Sequence, residues 1–185
     1  MEKCKLHLGC GWRDFGSDWI HIDNGDYEHL NHKTDITNLS MFQDNSVDLI
    51  YASHVIAYFD MKEILGVLGE WNRVLKPNGI LRLATPDFSS MVDLYHTSSE
   101  IPLESILGPL YGKMGMDGEN IYHKTTYDYS SLENVLRESN FKDIDRYDWR
   151  NIEHAKFDDH SQAHIPHMDK ENGKLISLNV ECKKV

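Results

Sequence analysis

Residues 47–84 read VDLIYASHVIAYFDMKEILGVLGEWNRVLKPNGILRLA. Val47 to Ala52 is a strand-forming run that stops at the polar pair Ser53-His54. Met61, Ile64, Leu65, Leu68, Trp71 and Leu75 then recur at helical intervals and form one apolar face. Asp60 and Glu63 stand ahead of it at capping-box spacing, and Lys76-Pro77-Asn78-Gly79 stops it. Gly79 to Ala84 is a second strand, ending at Thr85-Pro86-Asp87. A strand, a helix and a strand in this order pair in parallel through a right-handed crossover. The class is therefore α/β.

The pattern extends outward in both directions. Lys5 to Leu8 reads as a strand ending at Gly9-Cys10-Gly11, and Trp19 to Ile22 as a second ending at Asp23-Asn24-Gly25. Thr34-Asp35-Ile36 is a short third. Downstream, 88–96 is expected to be a short helix, while 97–129 has little periodicity. Ser130 to Asn140 is expected to be a helix, with Ser130 and Glu133 at capping-box spacing. Strands near 144–149 and 175–181 would close the sheet around a polar, His-rich stretch at 150–172. No interdomain linker is visible, so one domain is expected over 1–185.

The 185 residues carry 19 Lys and Arg against 30 Asp and Glu, a net charge of −11. So negative a surface repels polyanions, which argues against nucleic acid or an anionic membrane as partner. No apolar run approaches the roughly 20 residues a membrane span requires. The first residues lack a signal-type apolar stretch. The cysteines are three, Cys4, Cys10 and Cys182, without CxxC spacing. Together these features point to a reducing cytoplasm.

Gly9-Cys10-Gly11 lets the backbone turn sharply and lets a ligand approach. A dinucleotide site wants a third glycine where Asp14 stands, and a long helix facing pyrophosphate. Trp12 to Trp19 leave room for about two helical turns, and Asp14 and Asp18 add negative charge. S-adenosylmethionine has no phosphate and fits better. Asp23 is placed for its ribose, because a carboxylate accepts from two hydroxyls, and Asn24 beside it is a further cofactor-binding candidate. Asp35 would accept from the adenine amino group and Ile36 would cover its face. Ser53 and His54 lie where the methionine portion and methyl group would be. All stand at strand exits, where open α/β sheets bind ligands.

At LHLGCG (6–11), WIHID (19–23), TDITNL (34–39), DNSVDLIYASHVIAYF (44–59) and EWNRVLKPNGILRLATPD (70–87), the chain resembles the class I S-adenosylmethionine-dependent methyltransferases. It is most similar to a compact, methyltransferase type 11-like branch, which ISLNVE (176–181) also matches. The resemblance implies a Rossmann-like seven-stranded sheet, order 3-2-1-4-5-7-6, last strand antiparallel, here with a shortened first helix. Three departures stand out. His7-Leu8 occupies the place before the turn where many relatives carry an acid, and the first helix is short. Relatives also read SHVLEHF where this chain has Ser53-His54-Val55-Ile56-Ala57-Tyr58-Phe59.

Methyl transfer needs alignment of the acceptor, and a general base only where the acceptor gives up a proton. His123, in Tyr122-His123-Lys124, is the first candidate base, with His54 beside the methyl position as the second. The expected activity is methyl transfer to a small polar acceptor, with sugars and glycan precursors among the candidates. An alternative is a binding module that keeps the pocket without transferring the methyl group, suggested by Ala57-Tyr58. A third reading places a metal on His160, His164, His167 and Asp158 or Asp159, although Pro166 interrupts a helix there. No metal is expected. Trp12, Trp19, Trp71 and Trp149 are expected in the core or at its rim.

Overall fold

Alternating side chains give the strands two chemically different faces. The computed structural model describes residues 3–98, 101–116 and 118–185. Seven strands form the main sheet: β1 (Lys5–Leu8), β2 (Ile20–Asp23), β3 (His32–Lys33), β4 (Val47–Ser53), β5 (Leu75–Pro86), β6 (Phe141–Arg146) and β7 (Ser177–Lys184). Their order is β3-β2-β1-β4-β5-β7-β6. Neighbours from β3 to β5 pair in parallel, while β7 runs antiparallel to both β5 and β6. This is the order the resemblance implies.

Helix α1 (Glu63–Val74) joins β4 to β5. Helices α2 (Phe88–Thr97), α3 (Glu104–Tyr111) and α4 (Tyr129–Glu138) lie between β5 and β6. One face of the sheet presents Leu6, Leu8, Ile50, Ala52, Leu81, Leu83, Leu178 and Val180. Ile64, Leu68 and Trp71 of α1 and Leu132 and Leu136 of α4 join them in one buried core. The capping box at α1 forms as read. Asp60 Oδ1 accepts from the Glu63 N–H at 2.9 Å, and Glu63 Oε2 accepts from the Asp60 N–H at 2.9 Å.

The opposite face carries His7, Leu49, Tyr51, Arg82 and Asn179, and loops rather than helices cover it. Phe15 stacks on His7, His154 and Phe157, with ring centroids 4.0, 4.9 and 4.8 Å apart. Here the structure corrects one expectation: no helix, even a short one, stands between β1 and β2. Gly16 has φ +87°, and its N–H is taken by Asp14 Oδ1 at 2.7 Å, a local turn that displaces helix formation.

Three further boundaries move for local reasons. The third strand is His32–Lys33, because Asp35 Oδ1 accepts from the Thr37 N–H at 2.8 Å and turns the chain just beyond it. Helix α4 is capped by Asp128 and Ser131 rather than Ser130 and Glu133. Glu133 instead pairs with Arg137 one turn on. Strand β6 begins at Phe141 and ends before Tyr147, since Asp148 caps a short 3₁₀ turn at Trp149–Asn151.

Candidate functional site

The carboxyl ends of β1, β2 and β4 open into one cleft of about 1590 Å³. Gly9, Gly11, Asp23, Asn24, Asp35 and Ile36 line one part of it, and Ser53, His54 and His123 another. Cys10 does not reach it. Its thiol is buried, 3.6 Å from His29 Nε2, and burial followed by the Asp23 charge pushes it up to about 12. It is therefore no thiolate at neutral pH.

The glycine turn has two distinct requirements. Gly9 has φ +61°, and a Cβ there would lie 2.5 Å from Val55 Cγ2. Gly11 has φ +55°, yet a Cβ would meet nothing within 4 Å, because open cleft lies above it. The Gly11 N–H donates to Asp23 Oδ2 at 2.9 Å, and the Gly25 N–H donates to Oδ1 at 2.7 Å. One carboxylate thus ties the turn after β1 to the turn after β2. Each of its oxygens retains a lone pair for a ligand hydroxyl. The next strand exit is fixed by α1: buried Trp71 donates from Nε1 to the Ile36 carbonyl at 2.9 Å. Asn24 Nδ2 lies 3.0 Å from Met116 Sδ, on a short ribbon of Met114–Met116 and Glu119–Ile121.

Ser53 Oγ is buried without a hydrogen-bond partner among the described residues. His54 follows with φ +54°, its N–H donating to the Ala84 carbonyl at 2.8 Å. Its Nε2 lies 3.2 Å from Ser177 Oγ, and its ring centroid 5.1 Å from that of His160. Burial holds the imidazole well below its ordinary range, with His160, His123 and Arg13 pushing the same way. Below it, Ser177 donates to Asn179 Oδ1 at 2.9 Å and Asn179 donates to the Ser161 carbonyl at 2.8 Å. Ser161 and Tyr51 both donate to buried Asp159. The sequence reading missed this polar floor. Its signal was present as Ser177, Asn179 and Glu181 alternating with Leu178, Val180 and Cys182.

His123 Nδ1 is 3.2 Å from the Leu110 carbonyl, and its ring packs edge-on to Tyr58 at 4.7 Å. Tyr58 donates to the Gly112 carbonyl at 2.5 Å. Burial lowers the His123 pKa, and the Leu110 and Pro109 carbonyls partly oppose it. The Ala57 carbonyl accepts from the Lys124 and Thr125 N–H groups at 2.8 and 3.2 Å. The residue-57 backbone and the Tyr58 side chain therefore anchor the segment that carries His123, and only the Tyr58 contacts depend on the departure. Tyr127, by contrast, is buried in the core and does not line the cleft.

His160, His164 and His167 all reach the cleft wall. They do not gather around a carboxylate. His164 Nδ1 is 2.7 Å from the Gln162 carbonyl, Asp158 pairs with Lys170 at 2.9 Å, and Asp159 faces Tyr51 and Ser161. Among the described residues no group of three His, Cys, Asp or Glu is arranged to hold a metal ion. Of the tryptophans, Trp71 and Trp19 are core, whereas Trp12 is 69 % exposed at the cleft and carries Arg13 over its ring at 4.7 Å. No helix of the described residues is long and apolar enough to cross a membrane.

Residues 14–83 match the family model described as a methyltransferase domain. No curated protein matches significantly. Among solved structures, a SAM-dependent methyltransferase from Methanosarcina mazei aligns with TM-score 0.59 and 17 % identity, over 100 % of this chain and 94 % of its own. A SAM-dependent methyltransferase from Archaeoglobus fulgidus aligns with TM-score 0.58 and 13 % identity, covering 98 % and 86 %. The 1,6-didemethyltoxoflavin-N1-methyltransferase of Burkholderia thailandensis, solved with 1,6-didemethyltoxoflavin and S-adenosylhomocysteine, aligns with TM-score 0.57 and 11 % identity, covering 98 % and 71 %. At these identities the structural likeness speaks for the fold alone, and the family match spans residues 14–83, less than half of the chain. Both findings agree with the resemblance to S-adenosylmethionine-dependent methyltransferases that the sequence carries.

Proposed function

We propose that this chain, acting as one domain over 1–185, transfers the methyl group of S-adenosylmethionine to a small polar acceptor, with a sugar or glycan precursor among the candidates. The observation that carries the reading is Asp23. Its carboxylate, fixed by the Gly11 and Gly25 N–H groups, faces a cleft left open above Gly11. That cradle and the Ser53 hydroxyl, without a partner among the described residues, fit a nucleoside with an amino-acid tail. When bound, the cofactor supplies a methyl group on a sulfonium, the electrophile of an in-line displacement.

The chain's own residues do the rest. Asp23 accepts from the ribose hydroxyls, and Asn24 lies beside it. Asp35 accepts from the adenine amino group, and Ile36 covers the base. The turn at Gly9, Cys10 and Gly11 contributes backbone to the amino-acid tail, with the Cys10 side chain turned inward. Ser53 offers its hydroxyl near the methionine portion. Burial keeps His54 and His123 neutral near pH 7, so either can take a proton from an acceptor hydroxyl or ammonium. The acceptor is held between them and kept from bulk water.

Incubating the protein with methyl-labelled cofactor and a panel of small hydroxylated and amino acceptors tests this directly. Label appearing on an acceptor, at a rate dependent on His123, supports it. Cofactor binding without transfer to any acceptor supports the alternative of a binding module, which the Ala57-Tyr58 departure favours.

A further inference from the structure

The charged side chains lining the cleft are sorted by sign. Its carboxylates are Asp23, Asp26 and Asp35, all at the exits of β2 and β3, the nucleoside side. Its fixed cations are Arg13, whose charge acts on His54, and Lys113 and Lys124, the sequence neighbours of Gly112 and His123, which pack against each other. The chain as a whole carries 30 acidic against 19 basic residues, so a stretch of this wall with no carboxylate among the described residues runs against the composition. Lys124 is neutralised by Glu63, 2.8 Å away. Arg13 and Lys113 have no carboxylate partner among the described residues. Arg13 Nε donates to the Asp158 carbonyl at 3.0 Å and its guanidinium lies over the Trp12 ring, while among the described residues its terminal nitrogens and the Lys113 ammonium have no hydrogen-bond or ion-pair partner. His160 and His167 add imidazoles on the same side.

A cleft of one sign inside a molecule of the other focuses its field on the bound group. Resting on the methyl-transfer reading above, we infer that the acceptor is an anion, a phosphate ester or a carboxylate, held by Lys113 and Arg13 with imidazole N–H groups beside them. An anionic acceptor approaches a protein of net charge −11 against its overall field, so the cations at the wall set both its affinity and its orientation. A neutral acceptor would gain nothing from them.

Arg13 stands two residues beyond the glycine turn, where it could also serve the cofactor's own carboxylate, so Lys113 is the deciding residue. The probes are inorganic phosphate, glycolate and the neutral ethylene glycol. Each is titrated into the unliganded and the S-adenosylhomocysteine-loaded protein while the ring resonances of His160 and His167 are followed. Phosphate or glycolate should saturate, with ethylene glycol at least about tenfold weaker, the scale of one lost charged hydrogen bond. Phosphate binding more tightly assigns a phosphate ester, and glycolate binding more tightly assigns a carboxylate. Lys113→Gln should weaken the anion by about tenfold and Lys113→Glu by more, with S-adenosylhomocysteine affinity changed less than about twofold. Equal binding of all three probes, or anion binding indifferent to Lys113→Glu, overturns the inference. Failure of S-adenosylhomocysteine to bind would count against the preceding proposal alone, because the unliganded titration still reads the cationic wall.

Discussion

Gly9 and Gly11 look alike in sequence and are demanded by different physics. A methyl group at Gly9 meets Val55 in a left-handed conformation, so Gly9→Ala should lose about 2 kcal/mol or more, measured by denaturant unfolding. Gly11→Ala faces open cleft, so it should lose only the conformational strain, about 1 kcal/mol, while weakening the cofactor that lies there. Equal stability losses at both positions would contradict this division. At His123, replacement by Ala should reduce kcat by about 100-fold or more with a small change in cofactor affinity. Because burial lowers its pKa, the rising limb of the kcat–pH profile should fall below the ordinary 6.5, with a plateau through neutrality. A limb above 6.5, or normal turnover in His123→Ala, removes this residue from the role of base.

At the scale of elements, α1 and its two flanking strands were legible because their apolar spacing and capping box depend only on local residues. The strand exits were legible for the same reason, and they brought Gly9, Gly11, Asp23, Asp35, Ser53 and His54 to one cleft. The missing helix after β1 was not foreseen. Gly16 and Asp14 form a turn there, and the loop is then held by Phe15 stacking on His7, His154 and Phe157, two of them far along the chain. Such pairings leave no local period to read. The polar floor under His54 was hidden likewise, since Ser177, Asn179 and Ser161 become partners only through the sheet order. Trp71 joins the two levels, being a core residue of α1 whose indole N–H fixes Ile36 in the cleft. Trp71→Phe should keep most of the apolar burial but release that carbonyl. It should cost about 1–3 kcal/mol of stability and weaken cofactor binding as well. Unchanged binding would separate α1 from the site.

For the whole molecule, the loop-covered face makes stability depend on pH. His7 and His154 are buried and held neutral, His154 down to about 3, chiefly by desolvation. The unfolded chain takes up protons on them near the ordinary 6.5, and the folded chain does not. Their contribution is therefore fully present above 6.5 and is lost as the pH falls toward the folded values. The loss is at most about 1.4 kcal/mol per pH unit for each histidine. Neither ring nitrogen of His154 has a partner among the described residues, so His154→Phe should fold and flatten the acid limb of the unfolding curve. A limb of unchanged slope would place the acid sensitivity elsewhere.

The reading of the chain as a methyltransferase turns on the carboxylate that joins the turns after β1 and β2. The most direct measurement is a calorimetric titration of S-adenosylhomocysteine into the wild-type chain and into Asp23→Ala, each shown to be folded by its circular dichroism. Binding at one site per chain, weakened by about 100-fold in Asp23→Ala through two lost charged hydrogen bonds, is the expected result. No binding by the folded wild type, or equal affinity in the variant, would contradict it.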